Sequence, residues 1–179
     1  MNPKPIKQSL QLLSGLFFWL LYNSAWALPT DKAQEMKFSS KSSSYDSKQG
    51  RLILNGTVKV SQGTLEITAD KITLIYDKNQ KLESLVAEGA PARFQQQPEI
   101  DRAIIHAAAD NITYSVGKEH LLLNKNAFIE QKGATTRGGR IDYDIKAGTV
   151  SASGAGNTNN VVEFVIPPQA DTKPSDKKE

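Results

Sequence analysis

Apolar and polar residues alternate one by one along most of this chain. Val58 and Val60 are interleaved with Thr57 and Lys59, and Leu65, Ile67 and Ala69 with Glu66 and Thr68. Further on, Ile112, Tyr114 and Val116 alternate with Thr113 and Ser115, and Ile141, Tyr143 and Ile145 with Asp142 and Asp144. A period of two buries one face of a strand and wets the other. Helical periodicity is almost absent. Turn-forming residues recur at short intervals: Asn55-Gly56, Gln62-Gly63, Asp77-Lys78-Asn79, Gly89, Gly117-Lys118, Lys132-Gly133, Gly148 and Ser153-Gly154. This pattern predicts an all-β, antiparallel body between Lys37 and Ile166, with strands of roughly five to eight residues joined by hairpins. Residues 99–110 hold three successive alanines, which suit a short helix, but Ile104-Ile105 and Ile112 favour strand.

Four windows overlay within the body: Ser40–Tyr45 (SKSSSY), Ala69–Leu74 (ADKITL), Ala109–Tyr114 (ADNITY) and Gly138–Tyr143 (GGRIDY). Their starts are 29, 40 and 29 residues apart, so the chain also repeats with a period of 69. At that offset Leu54 meets Leu123, Asn55 meets Asn124, Gln62 meets Gln131 and Ile72 meets Ile141. A repetitive β-unit that cannot bury its apolar face alone is stabilised by stacking on the next. Such a stack has two open ends whose strand edges invite pairing, and complementary ends propagate head to tail. A closed barrel or sandwich with protected edges is the alternative.

The first 27 residues do not belong to this pattern. Lys4 and Lys7 precede an apolar run from Leu10 to Leu21, and Ala25-Trp26-Ala27 follows. That run is shorter than the roughly 20 residues a membrane-spanning helix needs. It predicts a signal peptide, residues 1–27, cleaved after Ala27; a retained anchor is the alternative. Residues 28–36 read as a polar N-terminal lead-in, and 167–179, charged and prolyl, as a disordered tail.

Removing the leader changes the charge. Of 22 Lys+Arg against 19 Asp+Glu, Lys4 and Lys7 depart, leaving 20 against 19 and a net of +1. Both tryptophans, Trp19 and Trp26, depart too. Basic residues are scattered among acids, so the concentrated basic face of a nucleic-acid binder is missing. With no cysteine, disulfides, thiol nucleophiles and thiolate metal sites are excluded.

Catalytic constellations are not found. His106 and His120 stand 14 residues apart without neighbouring carboxylates at metal spacing. Asp142 and Asp144 share a strand face and are read as its wet side rather than as a cation site. Gly117-Lys118 lacks the remainder of a phosphate loop, and no G-x-S-x-G elbow occurs. Asn55-Gly56-Thr57 and Asn111-Ile112-Thr113 match glycosylation sequons, but the first is read as a hairpin turn. The chain is expected to be no enzyme, with no cofactor and no metal.

The stretch Leu52–Leu74, LILNGTVKVSQGTLEITADKITL, resembles the OstA family of periplasmic lipopolysaccharide-transport bridge proteins. The resemblance rests on Asn55-Gly56-Thr57-Val58, Gln62-Gly63-Thr64 and Ala69-Asp70-Lys71-Ile72. It continues in order through Glu88-Gly89-Ala90-Pro91-Ala92-Arg93-Phe94, Ala109–Tyr114 and Gly139-Arg140-Ile141, covering residues 37–166. Ser40-Lys41 departs from it, standing where Ala69-Asp70 stands later. The resemblance implies a twisted, V-shaped β-jelly roll with open ends and an apolar interior that conducts lipid A acyl chains. It implies head-to-tail assembly in the periplasm between the periplasmic component of an inner-membrane transporter and the N-terminal domain of an outer-membrane translocon.

On that reading the lining residues are Leu54, Val58, Val60, Leu65, Ile67, Ile72, Leu74, Phe94, Ile112, Tyr114, Leu121, Leu123, Phe128, Ile141 and Tyr143. Two alternatives stand beside it. One is a structural β-oligomer that binds no lipid. The other is a secreted glycan-binding sandwich, disfavoured because no Trp remains after the leader.

Overall fold

Asn55-Gly56 makes no hairpin; it lies in the middle of a twelve-residue strand. That one difference explains how the architecture departs from a set of short strands. A computed structural model describes residues 31–154 and 160–168; the signal segment, the cleavage point after Ala27 and the tail from residue 169 onward lie outside the described residues. A 3-10 turn, Asp31–Ala33, leads into ten strands. They are β1 (Lys37–Ser39), β2 (Ser42–Asp46), β3 (Arg51–Gln62), β4 (Leu65–Tyr76) and β5 (Leu82–Gln96), then β6 (Ile105–Ser115), β7 (His120–Gln131), β8 (Ala134–Asp144), β9 (Thr149–Ser153) and β10 (Glu163–Val165). All pairings are antiparallel in one sheet, β1-β3-β4-β5-β6-β7-β8-β10, with β2 also on β3 and β9 also on β8. The alanine-rich 99–110 segment resolves into a turn followed by the start of β6, as strand rather than helix.

The central strands, β3 to β8, are 11 to 15 residues long because each continues through an irregularity at mid-length. In β3, Gly56 and Thr57 take left-handed φ of 79° and 51°. One period of 69 later, Lys125 and Asn126 of β7 do the same, at 62° and 52°. Register breaks at these points, and β5 bulges across Gly89–Pro91. A bulge inserts unpaired residues, bends the strand and raises its twist. Asn-Gly serves a bulge and a hairpin equally well, since both need positive φ.

In the even strands the same line is crossed by a change of face. Ala69 and Ile72 are both buried, as are Ala109 and Ile112, although each pair is three residues apart. Gly138 and Ile141 repeat the switch in β8. The repeated windows therefore mark a crease running across the sheet. Ser40-Lys41 marks it too: the chain breaks there into β1 and β2, and the Lys41 amide donates to the Asn55 carbonyl at 3.0 Å. At the inside of a bend space is least, and Ala69, Ala92, Ala109, Ala127 and Gly138 line it. A Cβ on Gly138 would stand 2.8 Å from the Ser153 carbonyl oxygen.

The crease divides the sheet into two halves. The first holds 42–46, 51–55, 71–76, 82–88, 111–115, 120–124, 140–144 and 149–153; the second holds 37–39, 58–62, 65–69, 92–96, 105–109, 127–131, 134–138 and 163–165. They face each other. Phe94 of the second half meets Tyr114 of the first with ring centroids 5.4 Å apart, and the Tyr143 hydroxyl donates to Gln131 Oε1 at 3.1 Å. This is a jelly roll folded from one creased sheet.

Candidate functional site

The register turns the inward residues into rows that cross the whole sheet. In the first half, Tyr45, Leu52, Leu74, Leu85, Tyr114, Leu121, Tyr143 and Val150 stand opposite one another in succession. In the second, Phe38, Val60, Ile67, Phe94, Ala107, Ile129, Thr136 and Phe164 do so. Between the sheet edges these rows are buried, with Leu52 half-buried. At their ends they are not: Tyr45 is 59% exposed, Val150 40%, Phe38 41% and Phe164 62%. An apolar stripe thus runs from one edge of the molecule to the other and emerges at both.

All the residues expected to line this interior lie in the buried cluster, with one exception. Phe128 faces outward, half-buried, with the Arg137 guanidinium 4.4 Å above its ring. On β7 the odd positions Leu121, Leu123, Ala127 and Ile129 face in, so parity carries Phe128 to the wet face, where a stacked arginine covers it. Expectation had followed size there instead of parity. The sequence reading missed Leu85, Ala87, Ile105 and Ile129. The first two alternate with Ser84, Val86 and Glu88, and the Gly89–Pro91 bulge hides that signal.

The open side of the V is laced by two straps. Asp31 accepts from the Thr64 amide at 2.7 Å and from the Thr64 hydroxyl at 2.6 Å, both on the second-half hairpin. Lys32 pairs with Glu119 on a first-half turn. The β5–β6 loop crosses the same gap, Arg102 Nη1 donating to the Ile145 carbonyl at 2.8 Å and Gln131 Nε2 to the Ala103 carbonyl at 3.1 Å. Beside the first strap a cleft of about 620 Å³ opens among Met36, Phe38, Tyr76, Leu82 and Val116, with Lys32 and Lys81 at its rim.

Hydroxyls in this interior are held protonated. Burial first, then the charge of Glu119, push the Tyr114 phenol up to about 12; the Gln96 amide opposes them, and the Asp31 charge adds the least. Burial likewise raises Tyr143, with Arg102 opposing, and raises Tyr76 beside Tyr45.

On the outer face, His120 does have a carboxylate neighbour, contrary to the reading from spacing. Antiparallel pairing of β7 with β8 brings Asp142 Oδ1 to 2.6 Å from its Nε2. Asp144 accepts from the Ala147 amide at 2.7 Å and caps the β8–β9 turn. Both aspartates are thus engaged in the sheet's own structure. Among the described residues no cluster of three His, Cys, Asp or Glu side chains is placed to hold a metal ion.

Residues 37–149 match the family model described as LptA/(LptD N-terminal domain) LPS transport protein. The chain belongs to this family. Its lipopolysaccharide export relatives include LptH of Pseudomonas aeruginosa, 32% identical over 90% of this chain and 95% of that protein. LptA of Haemophilus influenzae is 30% identical over 84% of this chain and 87% of its own. The crystal structure of the Pseudomonas LptH, described as the LptA-homologous periplasmic component of a lipopolysaccharide transport device, superposes with a TM-score of 0.71 at 32% identity. That match covers 78% of this chain and all of the other. The matched span runs from the first residue of β1 to the first of β9, so it contains the crease and both faces of the interior.

Proposed function

We propose that this protein is a non-enzymatic, periplasmic lipopolysaccharide carrier that bridges the inner and outer membranes by head-to-tail assembly. The observation that carries this reading is the pair of apolar rows that run from edge to edge and stay exposed at both ends. Stacking a second copy so that its β1/β2 edge continues the β9/β10 edge of the first extends both rows and covers their exposed ends. The same edges suit related domains at either end of the bridge: the periplasmic component of the inner-membrane Lpt transporter and the N-terminal domain of the outer-membrane Lpt translocon. Cleavage after Ala27 would deliver a chain that begins at Leu28, with a domain from 37 to 166.

The energetics favour such a carrier. At roughly 0.8 kcal/mol per CH₂, a twelve-carbon acyl chain left in water costs about 9 kcal/mol. An aliphatic interior offsets this without specific hydrogen bonds, so the lipid can slide. Directed movement is driven from elsewhere in the bridge.

Photo-crosslinkers test this. Placed at Phe94, Ile112 and Leu121, they are expected to capture lipopolysaccharide during transport. At Lys59, Glu66 and Asp142, on the outer face of β3, β4 and β8, they are expected to capture none. Capture only at the outer positions would overturn the reading. Concentration-dependent filaments of delipidated protein with no capture at any position would point to a scaffold instead.

A further inference from the structure

Three glutamines occupy equivalent places at the lip of the second half. Gln62 ends β3, Gln96 ends β5 and Gln131 ends β7, each paired with a buried aliphatic residue of the following or preceding strand: Leu65 for Gln62 and Ile105 for both Gln96 and Gln131. Their hydrogen bonding differs. Gln62 Nε2 donates to the Gln34 carbonyl at 3.0 Å. Gln131 is satisfied at both ends, donating to Ala103 and accepting from Tyr143. Gln96 is the most buried, only 9% exposed, and its Nε2 donates to Asp31 Oδ2 at 3.2 Å. Its Oε1 is buried with no hydrogen-bond partner among the described residues.

The orientation of that amide is dictated by its neighbours. The carboxylate of Asp31 is an acceptor, so the donor end of Gln96 must face it and the oxygen must point away. Tyr114, the counterpart of Tyr143 in the aligned windows, lies close enough for the Gln96 amide to favour its phenolate, yet the oxygen stays unpaired. A buried acceptor without a donor costs on the order of a hydrogen bond's desolvation. Its position is also distinctive. Two residues before it on β5 stands Phe94, in the apolar row; on its other side stands the polar strap at Asp31. Gln96 Oε1 therefore lies at the boundary between a place for an acyl chain and a place for a polar head.

We propose that Gln96 Oε1 is a recognition point for the head end of an acyl chain, accepting a hydrogen bond from an amide N–H or hydroxyl where the chain joins its headgroup. This rests on the interior being a lipid site, and adds selectivity to what is otherwise a greasy surface. The chain's apolar part lies among the rows, and the donor meets the one buried side-chain acceptor left open among the described residues.

Three probes of equal chain length separate the possibilities: a fatty N-methyl amide, a 3-hydroxy fatty methyl ester, and the plain methyl ester, which has no donor. The full chain after leader removal is expected to bind the amide, the hydroxy ester or both about fivefold tighter than the plain ester. Which donor gains shows which group is read. Gln96→Leu and the unbranched Gln96→Met are expected to abolish the preference and leave plain-ester affinity within about twofold. Gln131→Leu, whose oxygen already has Tyr143, is expected to retain the preference. Equal affinities for all three probes in the wild-type protein overturn the proposal, since a resident water alone would then satisfy Oε1; so does a preference that survives at Gln96→Leu and Gln96→Met. Equal, measurable binding leaves the lipid interior standing, whereas no binding of any probe overturns both.

Discussion

The same apolar rows are sealed in the middle of the sheet and open at its edges. Ile67 and Phe94 are almost fully buried, while Phe38 and Phe164, at the two ends of the same row, are 41% and 62% exposed. Side-chain chemistry does not differ between centre and edge; only the presence of a neighbouring strand does. Central strands have a partner on both sides. Among the described residues, β1 and β2 pair only with β3, and β9 and β10 only with β8. Apolar edges are normally suppressed because they template association. Keeping aromatic residues at both edges, on the inward face, makes sense when another strand is meant to be added there.

Substitutions should separate the two regions, and the centre should respond most. Ile72→Ala, in the sealed interior, is expected to cost about 2–5 kcal/mol in urea unfolding, through lost burial and a residual cavity. A cost below about 1 kcal/mol would mean that the interior is loosely packed there. At the edges, Phe38→Asp and Phe164→Asp are expected to leave the stability of the dilute monomer within about 0.5 kcal/mol of wild type. They are expected to abolish concentration-dependent assembly in sedimentation velocity, and mixing the two variants should restore dimers only, since each retains one intact edge. Assembly by either variant alone would show that the edges are not the contact.

Smaller effects probe what holds the sealed region closed. Arg102→Ala removes the side-chain donor to the Ile145 carbonyl and is expected to cost about 1–2 kcal/mol. It should also speed amide exchange in β8 near Ile145, whereas no change would show that the β5–β6 loop is not a latch. The buried phenols give a pH signature. Tyr114 titrates at about 12 in the fold against 10.0 for the free side chain. Above pH 10 the unfolded chain loses this proton first, so the stabilisation present below pH 10 is lost progressively up to about pH 12. Tyr114→Phe should flatten that decline. Smallest is Arg137→Ala on the outer face, expected to cost about 0.5–1 kcal/mol through its stack on Phe128.

Much of this was legible in the chain itself. Alternation identified an all-β body and the inward residues around Val58–Leu74 and Ile112–Tyr114. The repeated windows pointed to a stacked unit. What they physically mark, a crease, was hidden because a bulge and a hairpin use the same left-handed residues, as Asn55-Gly56 shows. A two-residue bulge preserves parity in β3 and β7, whereas the switch at Ala69-Asp70, Ala109-Asp110 and Gly138-Gly139 reverses it. Phe128 was misplaced because its bulk was weighed above its position relative to Leu121 and Leu123. The unpaired oxygen of Gln96 had no signature at all, since it arises from Asp31, some 65 residues away in sequence.

The sealed centre also makes a demand on function. Phe94 and Tyr114 touch across the interior, so an acyl chain enters only if the two halves part. Spin labels at Lys78, on the β4–β5 turn of the first half, and Glu99, on the β5–β6 loop of the second, report that separation by pulsed dipolar spectroscopy. Saturating lipopolysaccharide is predicted to lengthen the distance and to return it on delipidation. Bound lipopolysaccharide with an unchanged distance would place the lipid elsewhere and contradict the account.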